Sequence, residues 1–380
     1  MVKKAIAHIC DGNAIFSNKL YEVLSKQEGN ISYSPLSAHA ILSLLYQGAA
    51  GKTAASMAKG LHLTDTKLTA KGYQYLIKEL NAVDNVKLYI GNKIFVHHER
   101  ILKSKYDAKA KKYFLAETEN IAFTPDNVGA AAKINSWVKN KTNDKIHRII
   151  EAADLDDLTR VVLVNAIYFN GNWMKKFDPT LTRKEKFYLS DTDTVDCDMM
   201  HMNRIFAYMT DNDLDAQVVN LPYKDPKFSL MIILPRSKTG IHALEKKLAT
   251  KNLDDLNRKL FPADVILSMP KFKIETTMEL KDPLTEIGMG VIFSSAADFR
   301  KMLNSSEPLA VSKVIQKVFV EVNEEGTEAA AATGDMMLVG CARSNWPPEV
   351  NFVADHPFIF VLNYQEEKSF PLFAGKFCIP

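Results

Sequence analysis

Residues 321–334 read Glu-Val-Asn-Glu-Glu-Gly-Thr-Glu-Ala-Ala-Ala-Ala-Thr-Gly. Acids, one glycine and one threonine lead into a run of small residues in the last fifth of the chain. The run is too small-sided to build a core and too apolar for an ordinary solvated loop. Alanine is the best helix former, so composition fits a short exposed helix. Alternation fits a strand instead. Thr327, Ala329, Ala331 and Thr333 would then share one face with Asp335, and Glu328, Ala330, Ala332 and Gly334 would share the other. A strand with no bulky side chain on either face can enter an existing sheet without repacking a core. One segment can thus be a loop in one state and a central strand in another.

The rest of the composition is ordinary. The chain has 380 residues, 47% hydrophobic and 24% charged, which is globular composition. That length supports a sizeable core without disulfide staples. With 48 basic and 45 acidic residues the net charge is +3, so nucleic-acid binding is not implied. The densest basic run is Lys103, Lys105, Lys109, Lys111 and Lys112. It reads as a solvated helix face or as a weak site for a sulfated polysaccharide.

No apolar stretch reaches transmembrane length, so no membrane partner is expected. Residues 1–10 are too short and interrupted for a signal peptide. Two expectations follow: an extracellular chain whose signal is missing from this sequence, or a cytoplasmic chain. Sequons at Asn30, Asn140 and Asn304 lean toward a secreted glycoprotein. Cys10, Cys197, Cys341 and Cys378 show neither metal-ligand spacing nor a dense disulfide pattern.

Helical periodicity is clear over 14–27, where Ile15, Phe16, Leu20, Val23 and Leu24 can share a face. Ser34-Pro35 opens a second, nearly all-apolar helix to about Tyr46. An amphipathic helix is expected over 130–141. Strands are expected over 86–96, 228–234, 265–269 and 358–364. Residues 160–169 are apolar on both faces, as a covered central strand requires. Helices dominate the first 150 residues and strands the remainder, without βαβ alternation or repeats. This predicts one interwoven α+β domain over 1–380. Pro347-Pro348 cannot join a ladder and closes a loop.

Catalytic chemistry is not evident. There is no Gly-rich phosphate loop, zinc motif or nucleophile elbow. His97-His98 would point to opposite faces of an extended chain, and His201 lies in a Met-rich stretch that reads as core filling. We expect no enzyme, no metal and no cofactor.

Several segments resemble the serpin family, in family order across nearly the whole chain. Asn30-Ile31-Ser32-Tyr33-Ser34-Pro35-Leu36-Ser37 is similar to its helix B entry, and Gly48-Ala49-Ala50-Gly51-Lys52-Thr53 to the following turn. Ile134-Asn135-Ser136-Trp137-Val138, with Thr142 and Lys145-Ile146, resembles its helix F signature. Leu163-Val164-Asn165-Ala166-Ile167-Tyr168-Phe169, with Gly171 and Trp173, resembles strand three of its large sheet. Pro270-Lys271-Phe272, Asp355-His356-Pro357-Phe358 and Phe373-Ala374-Gly375 match shorter motifs. The resemblance is to inhibitory, insect-type members.

That resemblance implies three β-sheets, eight or nine helices and an exposed reactive-centre loop at about 324–348. It implies a monomeric suicide inhibitor. A serine or cysteine protease cleaves the loop, forms an acyl-enzyme and is dragged away as the loop inserts into the large sheet. The hinge would be Glu324, Glu325, Gly326, Thr327, Glu328, Ala329, Ala330, Ala331, Ala332 and Thr333. Ser34, Ser37, Asn165 and Gln316 would form the shutter beneath the sheet. Trp173, Lys271 and Glu324 would mark the entry point. The shutter histidine common in the family is Gln316 here. A non-inhibitory carrier, chaperone or storage serpin is the alternative, but such members carry bulky, charged or proline residues where this hinge has threonine and alanines.

Two rulers place the scissile bond differently. Counting from Gly326 gives Gly340-Cys341, which suits elastase-like or papain-like enzymes through Val339. Counting back from Pro347 and the C-terminal motif gives Arg343-Ser344, a trypsin-like site.

Overall fold

The computed structural model describes residues 2–83, 85–304, 309–326, 348–366 and 368–380. The first part contains α1 (Val2–Leu24), β1 (Ile31–Tyr33), α2 (Pro35–Gly48), α3 (Gly51–Gly60), α4 (Thr66–Asn81), β2 (Val86–His97), α5 (Ser104–Phe114), β3 (Glu117–Ile121) and α6 (Asn127–Lys141). Next come β4 (Val161–Gly171), β5 (Arg183–Tyr188), β6 (Thr194–Asp211), β7 (Ala216–Pro222), β8 (Phe228–Pro235), α7 (Ile241–Leu248) and α8 (Leu253–Lys259). The last part holds β9 (Phe261–Pro270), β10 (Phe272–Glu279), α9 (Lys281–Leu284), β11 (Lys313–Val322), β12 (Glu349–Val353), β13 (Phe358–Gln365) and β14 (Ser369–Phe377). Nine α-helices thus occur among the described residues.

Local chemistry accounts for the main elements. Ser34 caps α2: its hydroxyl accepts from the Ser37 amide at 3.2 Å, and Pro35 occupies the first turn. Every residue of α2 is buried, as its near-continuous apolar sequence requires. Asp65 and Asp126 cap α4 and α6 in the same way. α1 begins well before residue 14, because Ile6, Ile9 and Cys10 extend the buried face that Phe16, Leu20 and Leu24 continue.

Five strands form the central sheet, in the order β10-β11-β4-β2-β3. β10 is antiparallel to β11, and β2 to β4. β11 and β4 are parallel, from Lys313 opposite Val162 to Val320 opposite Phe169. β4 is buried along its whole length. Val161, Leu163, Ile167 and Phe169 face the main core, while Val162, Val164, Ala166 and Tyr168 face a second core under α6.

The other nine strands are hydrogen-bonded continuously. The two remaining sheets expected from the resemblance are joined because the 18-residue β6 serves both. It pairs with β5 over Thr194–Met199, with β9 over Met199–Tyr208 and with β7 over Ala207–Asp211. Gly375 permits the approach of β1 to β14, since a Cβ there would fall 1.9 Å from the Ile31 carbonyl oxygen.

Candidate functional site

The seam between β4 and β11 is the centre of the site. A buried polar row crosses it. Gln316 on β11 is opposite Asn165 on β4, which is opposite Asn92 on β2. Gln316 Nε2 donates to Asn165 Oδ1 at 2.6 Å and to the Ser34 carbonyl at 3.0 Å. The Ser34 amide returns a bond to Gln316 Oε1 at 2.8 Å. Asn165 Nδ2 donates to Asn92 Oδ1 at 2.7 Å and also to Ser37 Oγ. All five residues are buried. Their bonds tie the N-terminus of α2 to both sides of the seam, in surroundings where a lost partner is costly.

A second constellation closes the top. Beyond the end of β11, the chain turns over the end of β4. Trp173 Nε1 donates to the Asn323 carbonyl at 2.8 Å, and the Trp173 amide to the Glu325 carbonyl at 3.1 Å. The Phe177 amide donates to the Glu324 carbonyl at 2.9 Å. The Glu324 carboxylate is 3.0 Å from Lys271 Nζ and accepts from Thr182 at 2.8 Å. Burial pushes this carboxyl up, but hydrogen bonds from Thr182, a backbone amide and Lys271 prevail and hold it below its ordinary value. Lys176 pairs with Glu325. Trp173 stacks on Tyr223 at 4.4 Å.

Gly326 has φ +98°, and a Cβ there would lie 2.3 Å from the Gly171 oxygen and 2.5 Å from the Trp173 nitrogen. Only glycine permits both this conformation and this contact. The backbone at Gly326 therefore rests directly against the end of β4 and the residues that follow it.

The structure brings Ser34, Ser37, Asn165 and Gln316 into one network, and Trp173, Lys271 and Glu324 into the other. Sequence reading missed Asn92, Thr182, Lys176 and Phe177. Asn92 offered one signal, an amide inside an apolar strand, but its partner is set by cross-strand register. Thr327, Glu328, Ala329, Ala330, Ala331, Ala332, Thr333 and Asp335 lie outside the described residues, as do Gly340, Cys341, Arg343 and Ser344.

Other candidates separate. Asn30 donates through Nδ2 to the Ile379 carbonyl, and its Oδ1 accepts from the Cys378 and Ile379 amides. Asn140 and Asn304 are exposed. The basic run lies on and just before α5, where Lys111 pairs with Asp107 and Lys103 donates to the Arg300 carbonyl. The His97 and His98 rings do not diverge as an extended chain would require. They approach to 4.5 Å, because the strand ends at His97 and the chain turns. Among the described residues no group of His, Cys, Asp or Glu is arranged to hold a metal ion. Cys10, Cys197 and Cys378 are free thiols.

Comparison with known proteins agrees with this architecture. Residues 11–380 match the family model described as serpin (serine protease inhibitor). Leukocyte elastase inhibitor from Bos taurus is 35% identical, covering 97% of this chain and 98% of that one. Antichymotrypsin-2 from Bombyx mori is 34% identical, covering 93% and 94%. The crystal structure of Serpin48 from the insect Tenebrio molitor superposes with a TM-score of 0.87 at 31% identity, covering 98% of each chain. The chain belongs to the serpin family.

Proposed function

We propose that the chain is a suicide inhibitor of proteases that works by inserting its cleaved loop between β4 and β11. The observation that carries this reading is the parallel β4–β11 ladder with the hinge lying over its upper end. A strand that turns back at Gly326 and runs down the seam is antiparallel to both neighbours. It replaces one parallel ladder with two antiparallel ones, the more stable pairing per residue. Insertion of a reactive loop as a strand is established behaviour in this family.

The driving force has the right size. A new central strand adds about ten ladder hydrogen bonds, each worth roughly 1 kcal/mol net. That is comparable to the stability of a whole domain. The uncleaved form is then metastable, and the polar row and the Glu324 latch form part of the kinetic barrier. Thr327, the four alanines at 329–332 and Thr333 are small enough to enter without repacking either core, which is why the inhibitory reading is preferred to a carrier.

The target is a trypsin-like or elastase-like serine protease, or a papain-like cysteine protease, engaged by a monomer at Gly340-Cys341 or Arg343-Ser344. For an extracellular form, the exposed Asn140 and Asn304 are the glycan positions. Asn30 is the third candidate, with one hydrogen of its amide donated to the Ile379 carbonyl. A cytoplasmic form would carry none. The test is incubation with serine and cysteine proteases, followed by boiling in detergent. Complexes that survive, with release of the C-terminal peptide, support the reading. Cleavage without any complex contradicts it.

A further inference from the structure

The outer side of α5 takes no part in the polar row or the Glu324 latch. Its inner side is fixed in the core. Tyr106, Ala110 and Phe114 are buried, the Tyr106 hydroxyl donates to the Leu44 carbonyl at 3.0 Å, and the Phe114 ring lies 5.6 Å from Tyr73. On the opposite side Lys105, Ala108, Lys112 and Leu115 recur at helical spacing, flanked by Lys109 and Lys111, and all are exposed. Lys111 pairs with Asp107, the one acid in α5. Among the described residues no carboxylate pairs with Lys105, Lys109 or Lys112. Helix stability explains only part of this charge. Lys111 and Lys112 suit the negative end of the helix dipole. Lys103 at the N-cap, which makes no side-chain cap bond, and Lys105 in the first turn oppose the positive end. Exposed apolar side chains stand at both ends of the basic face. Leu115 is 51% exposed and holds φ +46°, a left-handed conformation that favours glycine. Ile101, shortly before α5, is 68% exposed. Its carbonyl accepts from the Asn304 amide at 2.9 Å and Leu102 pairs with Leu303, so the backbone there is fastened.

We propose that this face is a peripheral docking surface for an anionic lipid bilayer. Lys105, Lys109 and Lys112 meet the lipid phosphates and carboxylates. Leu115, with Ile101 at the other end, enters the boundary of the acyl chains. Charge complementarity and the two apolar side chains together select the occupant. A soluble polyanion gives an exposed leucine and isoleucine nothing to bury against. A bilayer uses both signals, and stable peripheral anchoring takes two. Each lysine close to an anionic surface strengthens binding about fivefold. The contact needs no membrane span, and among the described residues no helix is long and apolar enough to supply one. It needs no unfolding either, because the buried side of α5 stays in the core. The proposal stands apart from the inhibitory reading and would place the chain at a membrane surface whichever bond is its bait.

The test is cosedimentation of the full chain with vesicles of equal parts phosphatidylcholine and phosphatidylserine, compared with vesicles of phosphatidylcholine alone. We expect binding to the first, weakened by added salt, and none to the second. The triple variant Lys105→Gln/Lys109→Gln/Lys112→Gln should bind about a hundredfold more weakly. Leu115→Gly should bind about fivefold more weakly without a lower melting temperature, since glycine suits the left-handed position. Equal affinity in wild type and the triple variant overturns the proposal, as does equal affinity in wild type and Leu115→Gly. Retention on immobilised heparin without binding to either vesicle also overturns it, and would return the lysines to a polysaccharide.

Discussion

Gln316 Nε2 donates to Asn165 Oδ1 at 2.6 Å across the β4–β11 seam, which the proposed insertion would have to open. The same amide group exchanges bonds with the Ser34 backbone, so one side chain joins β11, β4 and the start of α2. Separating β4 from β11 by the width of a strand, about 4.8 Å, breaks the Gln316–Asn165 bond.

Gln316→Ala leaves the Ser34 amide and carbonyl and the Asn165 oxygen without these partners. Each buried orphan costs about 1–3 kcal/mol. We expect the uncleaved chain to melt several degrees lower and to lose inhibitory activity faster on warming. No group in this network titrates near neutrality. Gln316→His should add a dependence of that inactivation rate on pH between about 5 and 7 that wild type lacks. Identical inactivation rates in wild type and Gln316→Ala would remove the network from the barrier.

The Glu324 latch has its own acid dependence. The folded carboxyl is held below its ordinary value, so the unfolded chain binds the proton more readily. The latch contributes fully above the ordinary carboxylate value of about 4.3 and is lost as pH falls through the lowered one. Glu324→Gln should abolish that part of the acid sensitivity and speed spontaneous insertion at neutral pH. Lys271→Ala should do the same, and the double variant should be less than additive. Full additivity in melting temperature would show that the pair does not act as a unit.

His39 operates in a different window. Burial pushes its imidazole down to about 4, despite a 2.9 Å contact between its ring nitrogen and the Leu61 carbonyl. The unfolded chain takes up this proton near pH 6.5. Stability therefore falls as pH drops from about 6.5 to about 4, by a few kcal/mol at the acid end. Melting curves over this range should be flatter for His39→Gln. Parallel curves would assign the acid sensitivity elsewhere.

Much of the fold was legible because it depends on local signals. The Ser34-Pro35 cap, the doubly buried 160–169 stretch and the apolar periodicity of 14–27 each describe a short segment that must adopt one structure. Boundaries were less legible. α1 starts at Val2, since Ile6 and Ile9 complete a stripe visible only against the other helices and strands it packs on. The site divided likewise. Gln316 and Asn165 came from family resemblance, whereas Asn92 required the register of β2 against β4. The continuity of two sheets through β6 is a pairing fact that composition does not carry.

The bait residue is settled by Arg343→Ala, assayed against trypsin and a papain-like protease. Loss of trypsin complexes alone indicates two working bonds, with Gly340-Cys341 serving the other enzyme. Loss of both makes Arg343 the single bait. Retention of both excludes it.

Thr327 tests the path of insertion. On the proposed register it enters a buried position, where arginine would carry an unpaired charge at a cost of several kcal/mol. Thr327→Arg should be cleaved as fast as wild type yet form no stable complex. Trapping at wild-type stoichiometry would contradict insertion along this seam.

The most direct measurement is the heat resistance of the chain before and after a single cut in the loop. A nonspecific protease that nicks between 334 and 344 frees the hinge without remaining attached. If the freed segment becomes a strand between β4 and β11, the nicked protein should melt tens of degrees above the intact one, since about ten net hydrogen bonds are added to the sheet. Equal melting temperatures for the intact and nicked forms would contradict the account.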